Sequence, residues 1–225
     1  MKRDRISLID KIEKSKERTT NMQDISVLIP NNVENLQLPT PELVTFWRDE
    51  NERVFWLEQE VDDSLFELSK RIIAINREDK GKPIEERKPV KIFIDSPGGA
   101  LETTLAFVGL VTLSKTPIWT IDAGIAYSAA GLILMSGHKR FALPNTQALI
   151  HSGSGFIGGN YESTQEQMKN YKQLVEKMKD YILSKTTIDP KLFKKNSAKD
   201  WYFTTDEMLK HGIVDKIIDD LDEVI

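Results

Sequence analysis

The alternation of apolar and polar positions changes period several times along the chain, and each change predicts an element. Arg53-Val54-Phe55-Trp56-Leu57 is a short β-type run. From Asp62, a candidate N-cap, apolar residues recur at Leu65, Phe66, Leu68, Ile72, Ile73 and Ile75 with near-helical spacing. The polar stretch from Lys80 to Lys88 reads as a loop. Val90, Ile92 and Ile94, with Phe93, form a strand ending in Asp95-Ser96-Pro97-Gly98-Gly99. A helical pattern follows from Leu101 to Leu113, and Pro117 to Asp122 is the next strand. The turn from Gly124 to Ser128 then leads into an apolar helix ending near Gly137.

Strand, helix, strand, helix is the order of parallel βαβ units, so the expected fold class is α/β. Such units cross over right-handed and carry their sites at the carboxyl ends of the strands. The turns at Gly98-Gly99 and at Gly124 both occupy that position, and they are expected to meet. Short apolar runs follow at Phe141–Leu143 and Ala148–His151, then small residues from Ser152 to Gly159. Met168, Tyr171, Val175, Met178 and Ile182 are spaced for a long helix, and Asp189-Pro190 opens a short one. Thr204-Thr205-Asp206-Glu207 is a capping-box pattern, with Gly212 as the helix terminator.

Ahead of this body, residues 1–50 form a weakly specified arm. Ile6, Leu8, Ile9 and Ile12 fit a short amphipathic helix, the next stretch is polar, and Pro30, Pro39 and Pro41 break regular structure. The arm is expected to be partly disordered or ordered by a partner, leaving residues 51–225 as one domain. The length of 225 residues suits that division, and 40% hydrophobic with 29% charged residues is ordinary for a globular chain.

The formal net charge of −4 offers no basic surface for nucleic acid. With no cysteine, disulfides, thiolate zinc sites and a cysteine nucleophile are excluded. The charged N-terminus lacks the apolar core of a signal peptide, and no apolar run approaches the roughly 20 residues that span a bilayer. A cytoplasmic location without membrane attachment is therefore expected.

The reactive residue types are few. Of the three histidines, His138 lies in a polar turn and is expected to be exposed, and His211 sits in a last helical turn, where imidazole suits the helix dipole. His151 ends an apolar run and precedes small residues, a position open to a structural or a catalytic role. Ser128 follows a tight turn and begins a helix, so it is either an N-cap or a nucleophile placed at the positive end of a dipole. Gly98 and Gly99 could bring bare backbone N–H groups close to a ligand or could be a plain turn. Asp200, beside Trp201, Tyr202 and Phe203, could be partly buried and hold an imidazole, or could be a surface carboxylate.

Together these segments resemble the Clp proteolytic-subunit family of serine peptidases over roughly Glu52 to Asp219. The matching pieces are Ile94-Asp95-Ser96-Pro97-Gly98-Gly99, Gly124-Ile125-Ala126-Tyr127-Ser128-Ala129-Ala130, Arg140 to Asn145 followed by Ile150-His151, Lys199-Asp200, and Gly212-Ile213-Val214-Asp215. The resemblance implies a crotonase-like α/β spiral with a protruding handle of a strand and a long helix. It implies a triad of Ser128, His151 and Asp200, an oxyanion hole from the backbone of Gly98 or Gly99 and Ala129, and no cofactor. Gly155, Phe156 and Ile157 would pair with an extended substrate. Handles would join two seven-membered rings of this chain into a chamber that an AAA+ unfoldase feeds with polypeptide.

Several positions depart from the family pattern. His151 is followed by Ser152-Gly153 where proline is usual, Lys199 replaces an arginine, and Tyr127 places a large side chain beside the nucleophile where alanine is usual. The positions matching the family's aromatic unfoldase-docking surface are Lys91, Phe93 and Leu113. A ring-forming adaptor with weak or no proteolysis, or a phage capsid-maturation peptidase, would fit the same resemblance.

Overall fold

The computed structural model describes residues 39–155 and 157–225. The compact unit runs from Pro41 to Ile225. It opens with helix α1 (Pro41–Glu52), which the sequence reading had assigned to an irregular arm. Pro41 starts this helix rather than breaking it, because the first helical residue has no intrahelical N–H bond to lose. The amphipathic stretch expected from Ile6 to Ile12 lies outside the described residues.

Next come β1 (Val54–Leu57), α2 (Leu65–Glu78), β2 (Val90–Ser96), α3 (Leu101–Leu113), β3 (Ile118–Tyr127) and α4 (Ala129–Ser136). They are followed by β4 (Lys139–Ala142), β5 (Gln147–Ile150), α5 (Tyr161–Lys185), α6 (Pro190–Asn196), β6 (Trp201–Thr204), α7 (Thr205–Lys210) and β7 (Lys216–Ile217). Asp62 does not cap α2 as expected. The helix starts after Ser64, and the Asp62 carboxylate accepts the Ser64 N–H at 2.8 Å just ahead of it. The capping box at Thr204 and Glu207 is present as read.

Among the described residues the strands form one seven-stranded sheet in the order β1-β2-β3-β4-β7, parallel throughout that path. β3 is long enough to serve two neighbours. Its first half, Trp119 to Asp122, pairs with β4, and its second half, Ile125 to Tyr127, pairs with β5. β6 then adds antiparallel to β5 as an edge. The sheet therefore forks along β3.

Gly124 lies at the fork, inside the strand rather than in the turn the sequence suggested. A Cβ there would fall 2.3 Å from Asp95 Oδ1, which accepts the Ile125 N–H at 3.0 Å where the register with β2 shifts. A side chain at Gly124 would displace that carboxylate and its hydrogen bond to Ile125.

Ile92, Ile94, Ile118, Phe107, Phe203 and Ile72 fill the core and are almost wholly inaccessible. All eight residues of α4 are buried. Its short length is offset by enclosure on every side, which stabilises it through packing rather than helix propensity. That rigidity fixes where the residue before it, Ser128, stands.

Candidate active site

Ser128 occupies the junction of β3 and α4 with φ 53° and ψ −118°, a conformation costing a non-glycine residue about 1–3 kcal/mol. The surroundings hold it there. Its N–H donates to the Leu149 carbonyl at 2.9 Å, and the buried α4 follows immediately. The turn presents Oγ at the N-terminus of a helix, where unpaired N–H groups favour developing negative charge.

β5 lies beside the end of β3, and His151 follows its last residue. His151 Nε2 is 2.7 Å from Ser128 Oγ. On the far side of the ring, Nδ1 is 3.4 Å from Asp200 Oδ1. Asp200 directly precedes β6, whose pairing of Trp201 with Ile150 sets the two strand ends side by side. With the ring proton on Nδ1 facing the carboxylate, Nε2 is left to accept from the serine hydroxyl. Of the two placements open for Asp200, the structure has the surface one: its side chain is 59% exposed against 21% for His151. Trp201 and Phe203 pack instead on each other and on His211, leaving the aspartate toward solvent.

The Gly98-Gly99 turn meets the Ser128 turn, not a turn at Gly124 as anticipated, because Gly124 lies within β3. A Cβ on Gly98 would stand 2.5 Å from the Tyr127 carbonyl and 2.9 Å from the Ala129 nitrogen. Val61 clamps the turn from the other side: its N–H donates to the Gly98 carbonyl at 2.8 Å, and its carbonyl accepts from Ala100 N–H at 2.7 Å. The Gly98 N–H already donates to Ser96 Oγ at 3.2 Å, which withdraws Gly98 from the expected donor set. Among the described residues the N–H groups of Gly99 and Ala129 carry no hydrogen bond, and both residues line one cleft with Ser128.

Ser128 and His151 open into a cleft of about 670 Å³, the size of a small-molecule or peptide side-chain site. Gly155 lines it, Ile157 does not, and Phe156 lies outside the described residues. Residues 152–155 and 157–160 pair with no strand, so among the described residues the strand of the anticipated handle is not formed. The long helix α5 is present and contributes Tyr171 and Met178 to the cleft wall. The sequence reading took those two only as periodic helix positions. Their separation by seven places them on one face, and that spacing was the available signal.

Tyr127 does not crowd the nucleophile. Its hydroxyl donates to Gln147, and its ring packs edge-on against Tyr202, on the opposite side of the strand from Ala126. Lys91 and Phe93 share the outer face of β2 and are buried, with Trp56 stacked on Phe93 at 4.6 Å, whereas Leu113 is exposed. His138 is exposed as expected, although its Nδ1 accepts the Ile118 N–H at 3.0 Å. Among the described residues no helix is long and apolar enough to cross a membrane.

A protein-family model described as Clp protease matches residues 46–220. The chain is 30% identical over 171 residues to the chloroplastic ATP-dependent Clp protease proteolytic subunit 4 of Arabidopsis thaliana, a match covering 75% of this chain and 56% of that protein. It is 31% identical over 132 residues to the ATP-dependent Clp protease proteolytic subunit of Deinococcus radiodurans, covering 58% and 65%. With proteolytic subunit 2 of the ATP-dependent Clp protease of Tropheryma whipplei it shares 28% identity over 169 residues, covering 74% and 91%. The matched stretch thus spans less than two thirds of the first two relatives.

Proposed function

The chain belongs to the Clp protease family, and from that premise we propose that it is a serine endopeptidase cleaving unfolded polypeptides. The observation that carries this reading is the 2.7 Å contact between Ser128 Oγ and His151 Nε2, made at the N-terminus of a buried helix beside a glycine turn. Ser128 attacks the peptide carbonyl while His151 takes its proton and later delivers it to the leaving amine. The Gly99 and Ala129 N–H groups receive the oxyanion, each such donor contributing about 3 kcal/mol. Asp200 holds the imidazole by Nδ1.

Gly155 to Ile157 pair with extended substrate, and copies of the chain assemble into stacked rings, two of seven subunits each, around a chamber fed by an AAA+ unfoldase. The setting is cytoplasmic. The backbone left unpaired after His151 supports this reading, since substrate or another copy gives it a partner.

A fluorophosphonate probe tests the chemistry. Purified protein should form one adduct, on Ser128, absent from Ser128→Ala and mapped by peptide mass spectrometry. Folded, assembled protein that stays unlabelled would overturn the peptidase assignment. The solvent-facing Asp200 favours one second reading, a ring-forming adaptor with weak proteolysis, and that reading would then take its place.

A further inference from the structure

Taking Ser128 as a peptidase nucleophile, as proposed, we infer that the cleft selects substrates bearing a lysine or arginine near the scissile bond, with Glu60 and Glu102 as the selecting residues. The cleft is defined by the Ser128–His151 pair, and the two glutamates stand on its wall, one on each side of the Gly98-Gly99 turn. Glu60 immediately precedes Val61, whose backbone clamps that turn through Gly98 and Ala100. Glu102 lies in the first turn of α3, just after the same glycines. Both are exposed, and neither carboxylate has a hydrogen bond or ion pair among the described residues.

Some carboxylates elsewhere on this surface have cations to hand, as Glu50 has Arg71 and Glu67 has Lys70. Among the described residues lining the cleft there is no lysine or arginine. The cleft wall thus carries two carboxylates with no cation beside them among the described lining residues.

The oxyanion forms at Gly99 N–H, in the cleft that those two glutamates also line. Their field opposes the negative charge that builds on the carbonyl oxygen, and a substrate cation between them offsets it. A nearby lysine or arginine therefore assists both docking and acylation, and selection appears in kcat/KM rather than in binding alone. Opposite charges meeting at a partly solvated wall give a preference of about tenfold over an uncharged residue, and less in high salt.

The experiment uses the full, assembled protein and unfolded peptides blocked at both ends, identical except for Lys, Gln or Glu placed in turn at each position flanking the cleavage point. Wild type is compared with E60Q/E102Q and E60K/E102K, with products read by mass spectrometry and Ser128 labelling measured on each. The expected result is cleavage of Lys peptides about tenfold faster than Gln peptides, a gap that narrows at 0.5 M salt. It should flatten in E60Q/E102Q and turn toward Glu peptides in E60K/E102K. Equal profiles in all three proteins, with Ser128 still labelled, would overturn the selection while leaving the peptidase standing. Absence of both labelling and cleavage in every protein would overturn the two together.

Discussion

The rings of Tyr127 and Tyr202 meet edge to face with centroids 5.7 Å apart, and this contact ties the strand ending at Ser128 to the strand beginning after Asp200. Leu149 lies between them in the sheet, paired with Tyr127 on one side and Tyr202 on the other. Among the described residues β6 has only β5 as a neighbour, so the placement of Asp200 depends on such side-chain contacts. Tyr127→Ala removes a ring contact worth about 1 kcal/mol and the hydrogen bond to Gln147, worth about as much. We expect kcat/KM on a fluorogenic peptide to fall about tenfold, while Tyr127→Phe, which keeps the ring, stays within about threefold of wild type. Equal losses in the two variants would show that the ring contact does not position the site.

Gly98 admits no side chain. At φ 92° a Cβ would press on the Tyr127 carbonyl, the Ala129 nitrogen and Ser128 Cβ, which are parts of the nucleophile turn itself. Gly98→Ala should slow Ser128 labelling by at least about a hundredfold and lower stability by a few kcal/mol. Gly155 is the control: a Cβ there meets only the Tyr171 ring, at 3.8 Å. Gly155→Ala should change urea-unfolding stability by less than about 0.5 kcal/mol.

Asp200 acts across 3.4 Å from a position open to water, so its charge is screened. Asp200→Asn should reduce kcat/KM by about ten- to a hundredfold, less than Ser128→Ala or His151→Ala does. The same screening means that the gap between wild type and Asp200→Asn narrows as salt rises from 0.05 to 0.5 M. A gap independent of salt would point to orientation of the ring alone.

The strands and the long helices were legible because their periods are long and clean: Val90 to Ile94 is a continuous β run, and Met168 to Ile182 repeats by three and four. The three residues now found in one line, Ser128, His151 and Asp200, were each ambiguous in isolation and were separated from background by their order along the chain. The fork at Gly124 was not legible. It depends on Asp95 reaching across from β2, a contact between residues far apart in sequence. Nor was the donor choice between Gly98 and Gly99, which the Ser96 hydroxyl decides. Glu60 and Glu102 escaped notice because an exposed glutamate carries no local signal, and only the fold sets both beside the same turn.

Asp122 gives the fold a pH dependence of its own. It is the last β3 residue paired with β4, it is wholly buried, and its Oδ2 has no hydrogen-bond partner among the described residues. Burial pushes its carboxyl from 3.8 up to about 7, with the nearby Asp95 charge adding to the rise, against weaker opposition from the Gly124 N–H and Thr146. A carboxyl with a raised folded-state pKa binds a proton more tightly folded than unfolded. Stability from this group is therefore complete below about pH 4, declines as pH rises toward 7, and levels off above it. At about 1.4 kcal/mol per pH unit the loss amounts to a few kcal/mol by pH 8. Asp122→Asn keeps the shape and cannot ionise. Its stability relative to wild type should rise by about 3 kcal/mol between pH 5 and pH 8, since roughly two pH units of the titration span lie above pH 5, measured by urea unfolding at each pH. Parallel stability curves for the two proteins would show that Asp122 titrates alike folded and unfolded, and that the fork tolerates its charge.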